Sequence, residues 1–386
     1  MRPARHWPGH DWRTSIRHRR PHSDKRRTTH EGCLMISHTH AATRFGLRLL
    51  GGPAGAVLVM AATFVVAALA FFSLNGRESV SLFQEMVMGA FGDSYSFSET
   101  LVKTAPILLT ALAVALPARL GLISVGGEGQ LYLGALFGTG AVLAVLDQPG
   151  WLLMPFMLAG AMAGGALWGV IPGLLKTRLG VNETISTLLL NYVGVLLVSF
   201  VVHGPWKNPN SLGWPATIEF PDGAILPQFF DTRVHLGLVF GIVAAVVLHV
   251  LVTRSRWGLG LQVSRSNPRV AATAGISYER NVLIVMAVGG LLAGLAGIAE
   301  ASVIQNRLQD GLASGYGMTG FLVAWLAGQH FLRLIPLSVL MGGLLASADS
   351  LQLYAQLPKA SADILQALLF IIVLAVASLW PKHRGA

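Results

Sequence analysis

The sequence predicts an all-α protein, a polytopic integral membrane helical bundle with about ten transmembrane helices. Of its 386 residues, 53% are hydrophobic and 12% are charged, whereas soluble domains carry roughly a quarter charged residues. The mean hydropathy of +0.60 reflects apolar runs that approach the length of a membrane-crossing helix. These observations exclude an ordinary soluble protein.

Residues 1–50 form a basic tail that differs in composition from the rest of the chain. They contain eleven basic and three acidic side chains, and so carry +8 of the net charge of +10. The tail lacks the apolar core of a secretory signal peptide, and its composition predicts a disordered cytoplasmic segment. Met35 within it is an alternative translation start. Because the charge excess lies in this tail, it does not predict a nucleic-acid partner for the body.

Residues 51–381 are predicted to form a single transmembrane domain. Each span needs an apolar run of about 20 residues, because a helix must satisfy its own backbone polar groups in the membrane. The candidate spans lie at about 52–74, 101–118, 121–146, 151–175, 184–203, 234–253, 281–303, 312–330, 334–352 and 362–380. Glycine interrupts the third and the eighth, so these two are the least regular.

The distribution of basic residues predicts the orientation of the spans. If the amino terminus is cytoplasmic and ten spans alternate, 22 of the 28 Lys and Arg residues fall inside and 6 outside. The opposite orientation inverts this ratio. Because cytoplasmic loops carry an excess of Lys and Arg, both termini are predicted to be cytoplasmic.

Two polar segments interrupt the apolar pattern. Residues 204–233 form a predicted external loop rich in Trp and Pro, typical of an interfacial loop or of a docking surface for an external partner. Residues 254–280 form a predicted cytoplasmic loop with five Arg and a single acidic residue, Glu279.

The motifs of several enzyme and nucleotide-binding classes are absent from the sequence. It has no phosphate-binding loop, no zinc-binding HExxH helix and no GxSxG nucleophile elbow. The single cysteine, Cys33, excludes a disulfide framework, and the tail histidines lack the spacing of a metal site. Residues 315–320 match GxGxxG, but no strand precedes them, so close packing or a broken helix is the better interpretation. No catalytic residue, metal or cofactor is therefore predicted.

Glycines at helical spacing predict close helix packing. Small residues four apart let membrane helices approach one another, and such a ridge is formed by Gly160, Gly164, Gly165, Gly169, Gly173, Gly290 and Gly294.

Two motifs place polar groups inside predicted spans. Glu128 and Gln130 lie in a glycine-rich stretch that a regular helix does not favour, so the loosened backbone is expected to line a cavity. Glu128 either accepts hydrogen bonds from freed amides or lines a solute path. The second motif contains Asn182, Glu183, Ser186, Thr187, Asn191 and Tyr192. In it Asn182 is a predicted N-cap and Glu183 suits the positive end of a helix dipole.

These motifs, followed by Asn267, Pro268, Ala271, Ala272 and Gly275, resemble in order those of bacterial ABC importer permeases. The resemblance is to the ribose/branched-chain amino acid permease superfamily, and within it to the simple-sugar and nucleoside uptake branch. It covers roughly residues 50–380. It implies localisation in the bacterial inner membrane.

The resemblance also implies partners. A separate cytoplasmic ATPase would hydrolyse ATP, and residues 254–280 would dock into it through Asn267, Pro268, Ala271, Ala272 and Gly275. In this segment the family usually has an Arg where this chain has Gln262, and a Gly where this chain has Arg265. A second permease, identical or homologous, and a periplasmic or lipid-anchored substrate-binding protein would complete the transporter in the lipid membrane.

The low charge of the spans predicts that the solute is neutral and polar, a nucleoside or a simple sugar. Residues that could contact it are Glu128, Gln130, Asn191 and Tyr192. Branched-chain amino acid or riboflavin transport remains an alternative within the importer class. Outside that class, the alternatives are an ion- or proton-coupled transporter working alone, with Glu128 as its ion site, and an intramembrane enzyme.

Overall fold

The computed structural model describes residues 53–74, 78–211, 213–229, 232–313, 315–358 and 360–379. The chain divides into two units, residues 1–52 and 53–386. The basic tail, with Cys33 and Met35, lies outside the described residues, so the predictions for the tail remain predictions.

The described residues form helices and no strand. In chain order the helices are α1 (Pro53–Leu74), α2 (Ser79–Phe91), α3 (Ser94–Arg119), α4 (Gly127–Ala144), α5 (Gly150–Leu179), α6 (Glu183–His203), α7 (Leu236–Arg254), α8 (Arg256–Ser266), α9 (Pro268–Thr273), α10 (Tyr278–Ala299), α11 (Tyr316–Leu326), α12 (Phe331–Ala355) and α13 (Ala360–Leu379). A π-helical segment, Glu300–Ile304, continues α10, and a short 3-10 helix, Asp222–Ala224, precedes α7.

Six helices in the described part of the chain are long and apolar enough to cross a membrane. They are α3, α5, α6, α7, α10 with its π-helical segment, and α12. Helices α1 and α2 form a further candidate, a pair bent by 119° that is either a broken span or a re-entrant loop. The predicted class, an all-α polytopic membrane protein, is confirmed.

The two predicted spans that glycine interrupts are shorter than expected. The third, 121–146, is helical as α4 only from Gly127 to Ala144, and the eighth, 312–330, is helical as α11 only from Tyr316 to Leu326. Gly121 and Gly315, shortly before these helices, have φ angles of +86° and +79°. This left-handed region favours glycine. The helix is therefore interrupted at positions where the sequence has a glycine.

Glycine allows α10 to pack against α4 and α5 at backbone distance. A Cβ atom at Gly165 would lie 2.2 Å from the carbonyl oxygen of Gly290, and one at Gly134 would lie 2.1 Å from the Cα of Gly294. Both distances are too short for any side chain. The predicted close packing through Gly165, Gly290 and Gly294 is therefore confirmed, and Gly134 adds to it.

Residues 204–229 pack against the chain that follows α10. The Thr217 amide donates to the Leu308 carbonyl at 2.9 Å, and Trp214 Nε1 donates to Gln309 Oε1 at 3.2 Å. The Trp214 side chain is nevertheless 59% exposed. The loop therefore has its own tertiary contacts and still presents an aromatic side chain at the surface.

His235 connects this loop to α7. It is the N-cap residue of the helix, and its Nδ1 accepts a hydrogen bond from the Gly237 amide at 3.1 Å. Burial lowers the pKa of His235 to about 4, because removal from water disfavours the charged imidazolium. The imidazole is therefore neutral near pH 7 and able to accept this bond.

Candidate functional site

Helix α6 carries a polar stripe, which consists of Glu183, Thr187 and Asn191. Residues four apart lie on the same face of a helix, and all three side chains are buried. The polar stripe faces residues 122–129, which comprise the non-helical segment before α4 and the first residues of α4. The two polar motifs of the sequence therefore contact each other.

Asn191 and Thr187 satisfy backbone groups at the break before α4. Asn191 Oδ1 accepts a hydrogen bond from the Gly129 amide at 2.8 Å, and its Nδ2 donates to the Val125 carbonyl at 2.7 Å. Thr187 Oγ1 accepts from the Val125 amide at 3.1 Å. Because an unpaired backbone group is costly inside a membrane, these two side chains make the non-helical segment tolerable there.

Glu183 extends the same contact and adds an ion pair. Its Oε1 accepts from the Ile123 amide at 3.4 Å, while Thr184 Oγ1 donates to the Ile123 carbonyl at 3.1 Å. Lys176 Nζ, on α5, lies 2.8 Å from Glu183 Oε2. The carboxylate therefore connects α5, α6 and the segment before α4.

Asn182 caps the amino terminus of α6. Its Oδ1 accepts from the amides of Thr184 at 2.9 Å and Ile185 at 3.4 Å, which otherwise have no partner in the first turn. Ser186 Oγ donates to the Glu183 carbonyl at 3.2 Å within the same turn. The negative charge of Glu183 is favourable beside the exposed amides of a helix start.

The Glu128 carboxylate lies between the amino termini of two helices. It belongs to the first turn of α4, and its Oε2 accepts from the Gly317 amide in the first turn of α11 at 2.7 Å. A Cβ at Gly317 would lie 2.2 Å from the Glu128 amide nitrogen, so glycine is required there. The positive ends of both helix dipoles lie near the carboxylate. The negative charge of Glu128 offsets these two positive ends from within the protein.

The segment between α7 and α10 contains the short helices α8 and α9. Asn267 separates them, and its Oδ1 accepts from the amides of Arg269 at 3.0 Å and Val270 at 3.3 Å. Pro268 occupies the first turn of α9, where its missing N–H costs nothing. Gly275 follows in a left-handed conformation with φ of +73°.

One face of α9 is buried and the other is exposed. Ala271 is fully buried, whereas Val270 is 53% exposed, and Ala272 and Gly275 are exposed as well. A Cβ at Gly275 would meet no atom within 4 Å. The exposed residues of the helix are small or apolar apart from Arg269 and Thr273.

Comparison with known proteins identifies the family. Residues 96–374 match the family described as branched-chain amino acid transport system / permease component. The chain belongs to this family. It is a multi-pass permease component of a transport system rather than a catalytic subunit.

Three characterised relatives are permeases of ABC transporters. The chain is 32% identical over 339 residues to the glucose ABC transporter permease of Haloferax volcanii, which covers 85% of this chain and 88% of the relative. It is 31% identical over 338 residues to the guanosine ABC transporter permease of Bacillus subtilis, with 86% and 91% covered. It is 29% identical to the nucleoside ABC transporter permease of Lactococcus lactis, with 69% and 74% covered. The chain is thus an ABC transporter permease, a class that works with ATPase and substrate-binding partners.

The four residues predicted to contact solute occupy different environments in the permease. Asn191 bonds backbone groups of the α4 region, and Glu128 bonds the start of α11. Gln130 is buried with 3% of its surface exposed, whereas Tyr192 is 66% exposed. Asn191 therefore lies against the start of α4, where Glu128 and Gln130 are, whereas the Tyr192 side chain is at the surface.

Sequence reasoning missed the contact between the two motifs. The spacing of four between Glu183, Thr187 and Asn191 was the available signal, since a polar stripe on an apolar helix needs a polar partner. The glycine-interrupted stretch 121–130 supplies that partner, because its backbone amides and carbonyls are not all paired within a helix.

The contacts of Asn191 predict that its replacement by leucine destabilises the permease. The variant leaves the Gly129 amide and the Val125 carbonyl unpaired in a buried place, at about 1–3 kcal/mol for each group. We expect a lower unfolding temperature of the purified protein in detergent.

Tyr192→Phe, at the neighbouring position, is the matched control. Because the Tyr192 side chain is exposed, this substitution should leave the unfolding temperature unchanged. Equal unfolding temperatures for Asn191→Leu and the unmodified permease would show that the two hydrogen bonds contribute nothing to stability.

Proposed function

We propose that this permease is the membrane subunit of an ATP-driven importer that moves a neutral polar solute, a nucleoside or a simple sugar, across the bacterial inner membrane. The similarity to glucose, guanosine and nucleoside permeases over most of their lengths carries the proposal. Because substrate preference varies among these relatives, the solute is assigned only to this chemical class.

The electrostatics of the Glu128 site favour a neutral solute. In broken membrane helices the positive amino-terminal ends commonly bind anionic substrates, but here the protein's own carboxylate occupies that place. Ion pairs join Lys176 to Glu183 and Lys103 to Asp349. At these sites each charge is offset within the protein, which favours a neutral solute over an ionic one.

The topology in this proposal has ten crossings and both termini in the cytoplasm. The basic tail and the segment 254–280 then lie in the cytoplasm, where the exposed face of α9 with Asn267, Pro268, Ala272 and Gly275 docks into the ATPase. Ala271 supports the same helix from its buried side. The loop 204–233 faces the external substrate-binding protein.

A second permease, identical or homologous, completes the path. Tyr192 lies on an exposed face of α6 together with Leu188, Leu189 and Leu196. In a lone bundle this face meets lipid, so Tyr192 contacts solute only if a second bundle packs beside it. Glu128, Gln130 and Asn191 lie behind this face as the other proposed path residues.

Uptake by a strain that lacks the gene tests the proposal. We expect loss of radiolabelled nucleoside or sugar uptake, its restoration by the intact gene, and sensitivity to vanadate rather than to a protonophore. Unchanged uptake of nucleosides and sugars, with loss of branched-chain amino acid or riboflavin uptake, would reject the solute class. Concentrative uptake by the purified chain alone in vesicles would reject the ATP-driven mechanism in favour of ion coupling.

A further inference from the structure

A cavity of about 350 Å³ lies where the ends of α3 and α7 meet α8, and its lining does not include Glu128. Its polar lining consists of Arg119, Thr253, Gln262 and Arg265, and none of its lining residues is acidic. Arg119 and Thr253 belong to the last turns of two membrane-spanning helices. The cavity therefore lies at the edge of the apolar region.

Two arginines face this cavity without a counter-charge. Both side chains line the same cavity, where like charges repel each other, and neither forms an ion pair with any described residue. The Arg119 guanidinium lies 5.1 Å from the centre of the Phe331 ring, and its buried Nε has no hydrogen-bond partner among the described residues. Mutual repulsion and an unpaired donor are what a bound anion would relieve.

Arg265 makes one structural hydrogen bond and keeps other donors available. Its Nη1 donates to the Ala118 carbonyl at 3.5 Å, a long bond at the carboxyl end of α3. A guanidinium has five N–H donors, so most of them remain available to the cavity. Arg265 can therefore bond the end of α3 and bind an anion at the same time.

The surroundings add further positive potential. Burial and the charges of Arg333, Arg119 and His249 lower the pKa of His330, which directly precedes Phe331. No Asp or Glu occurs in the segments 118–122 and 249–266, which supply the lining of the cavity. The local field therefore favours an anion.

We propose that this cavity binds a phosphate group, and that in the membrane the phosphodiester of an anionic phospholipid supplies it. Arginine binds phosphate through paired hydrogen bonds, and basic pockets between membrane helices bind anionic headgroups. Val252 and Leu259 line the cavity, and the exposed side chain of Leu259 offers an apolar surface for an acyl chain.

Native mass spectrometry of the full chain in neutral detergent tests the lipid assignment. We expect bound phosphatidylglycerol to survive where phosphatidylcholine of equal chain length does not, and phosphatidylglycerol to raise the unfolding temperature. Inorganic phosphate alone should give much weaker protection because it lacks the acyl contacts. Equal protection by millimolar inorganic phosphate would overturn the lipid assignment in favour of a soluble anion.

Charge-removing variants test the two arginines. Each of Arg119→Gln and Arg265→Gln should weaken phosphatidylglycerol binding about fivefold, the effect of about 1 kcal/mol per basic residue. Arg265→Lys, which keeps the charge, should retain most of the affinity. The matched control is Arg280→Gln, because Arg280 is exposed and does not line the cavity.

Three outcomes would overturn the proposal. They are equal binding of the two lipids, an equal loss in Arg280→Gln, and unchanged lipid binding in both cavity variants. If the cavity variants bind lipid normally but lose the ATPase subunit on purification, the arginines bind a protein carboxylate instead. The comparison of the two lipids uses the unmodified chain, so the proposal stays testable if a variant fails to fold.

Discussion

Replacement of Gly165 by alanine is expected to cost the permease about 3 kcal/mol or more of stability. The added methyl group would lie 2.2 Å from the Gly290 carbonyl oxygen and 2.9 Å from the Gly294 Cα. These atoms belong to the backbone of α10, so neither can rotate away and the two helices must separate. The measurement is the unfolding temperature and the fraction of monodisperse protein after detergent extraction.

Gly173→Ala, on the same helix, provides the matched control. A Cβ at Gly173 would meet Leu283 Cδ2 at 3.4 Å and Met286 Cβ at 3.5 Å, which are ordinary contacts. Alanine also favours a helix over glycine by about 1 kcal/mol, so this variant should be neutral or slightly more stable. Equal behaviour of the two variants would show that the close approach of α5 and α10 does not limit stability.

Replacement of Val270 by aspartate is expected to reduce ATP-driven uptake about thirtyfold, the loss of one interface side chain worth about 2 kcal/mol. Val270 is 53% exposed on α9, the helix proposed to enter the ATPase. A carboxylate there would have to lose its hydration to fit an apolar groove. The bundle should remain folded, because the side chain is not part of its core.

Uptake and ATPase co-purification should be measured together for this variant. Val270→Ile keeps the apolar contact and should transport normally. Gly275 is a less selective probe, because any side chain at its φ of +73° is strained. Normal uptake by Val270→Asp would remove α9 from the proposed docking surface.

Much of the fold could be predicted because long apolar runs in the sequence directly indicate membrane-spanning helices. The long apolar helices α5, α6, α7 and α10 were expected from composition and length. Helix α2 was missed, because its 13 residues mix polar and apolar side chains and are too few to span the membrane. The short extent of α4 was missed because an apolar run does not reveal a backbone break.

The sites were harder to predict than the helices, because they depend on residues that are distant in sequence. Asn191 bonds an amide 62 residues before it and a carbonyl 66 residues before it, and Gly317 contacts Glu128 across 189 residues. The motifs marked these positions as unusual, but spacing alone could not show that they contact each other. The arginine cavity has the same character, since Arg265 and Ala118 are 147 residues apart.

The hydrogen bonds from α6 to residues 123–129 have a mechanical consequence. Ile123, Val125 and Gly129 all donate hydrogen bonds to side chains of α6, so we expect α6 and the start of α4 to move as one body in any rearrangement. Gly180 links α5 to α6 with φ of +67° and has open space around it. The Lys176–Glu183 ion pair spans the same link, so a rotation of α6 about Gly180 would lengthen that contact.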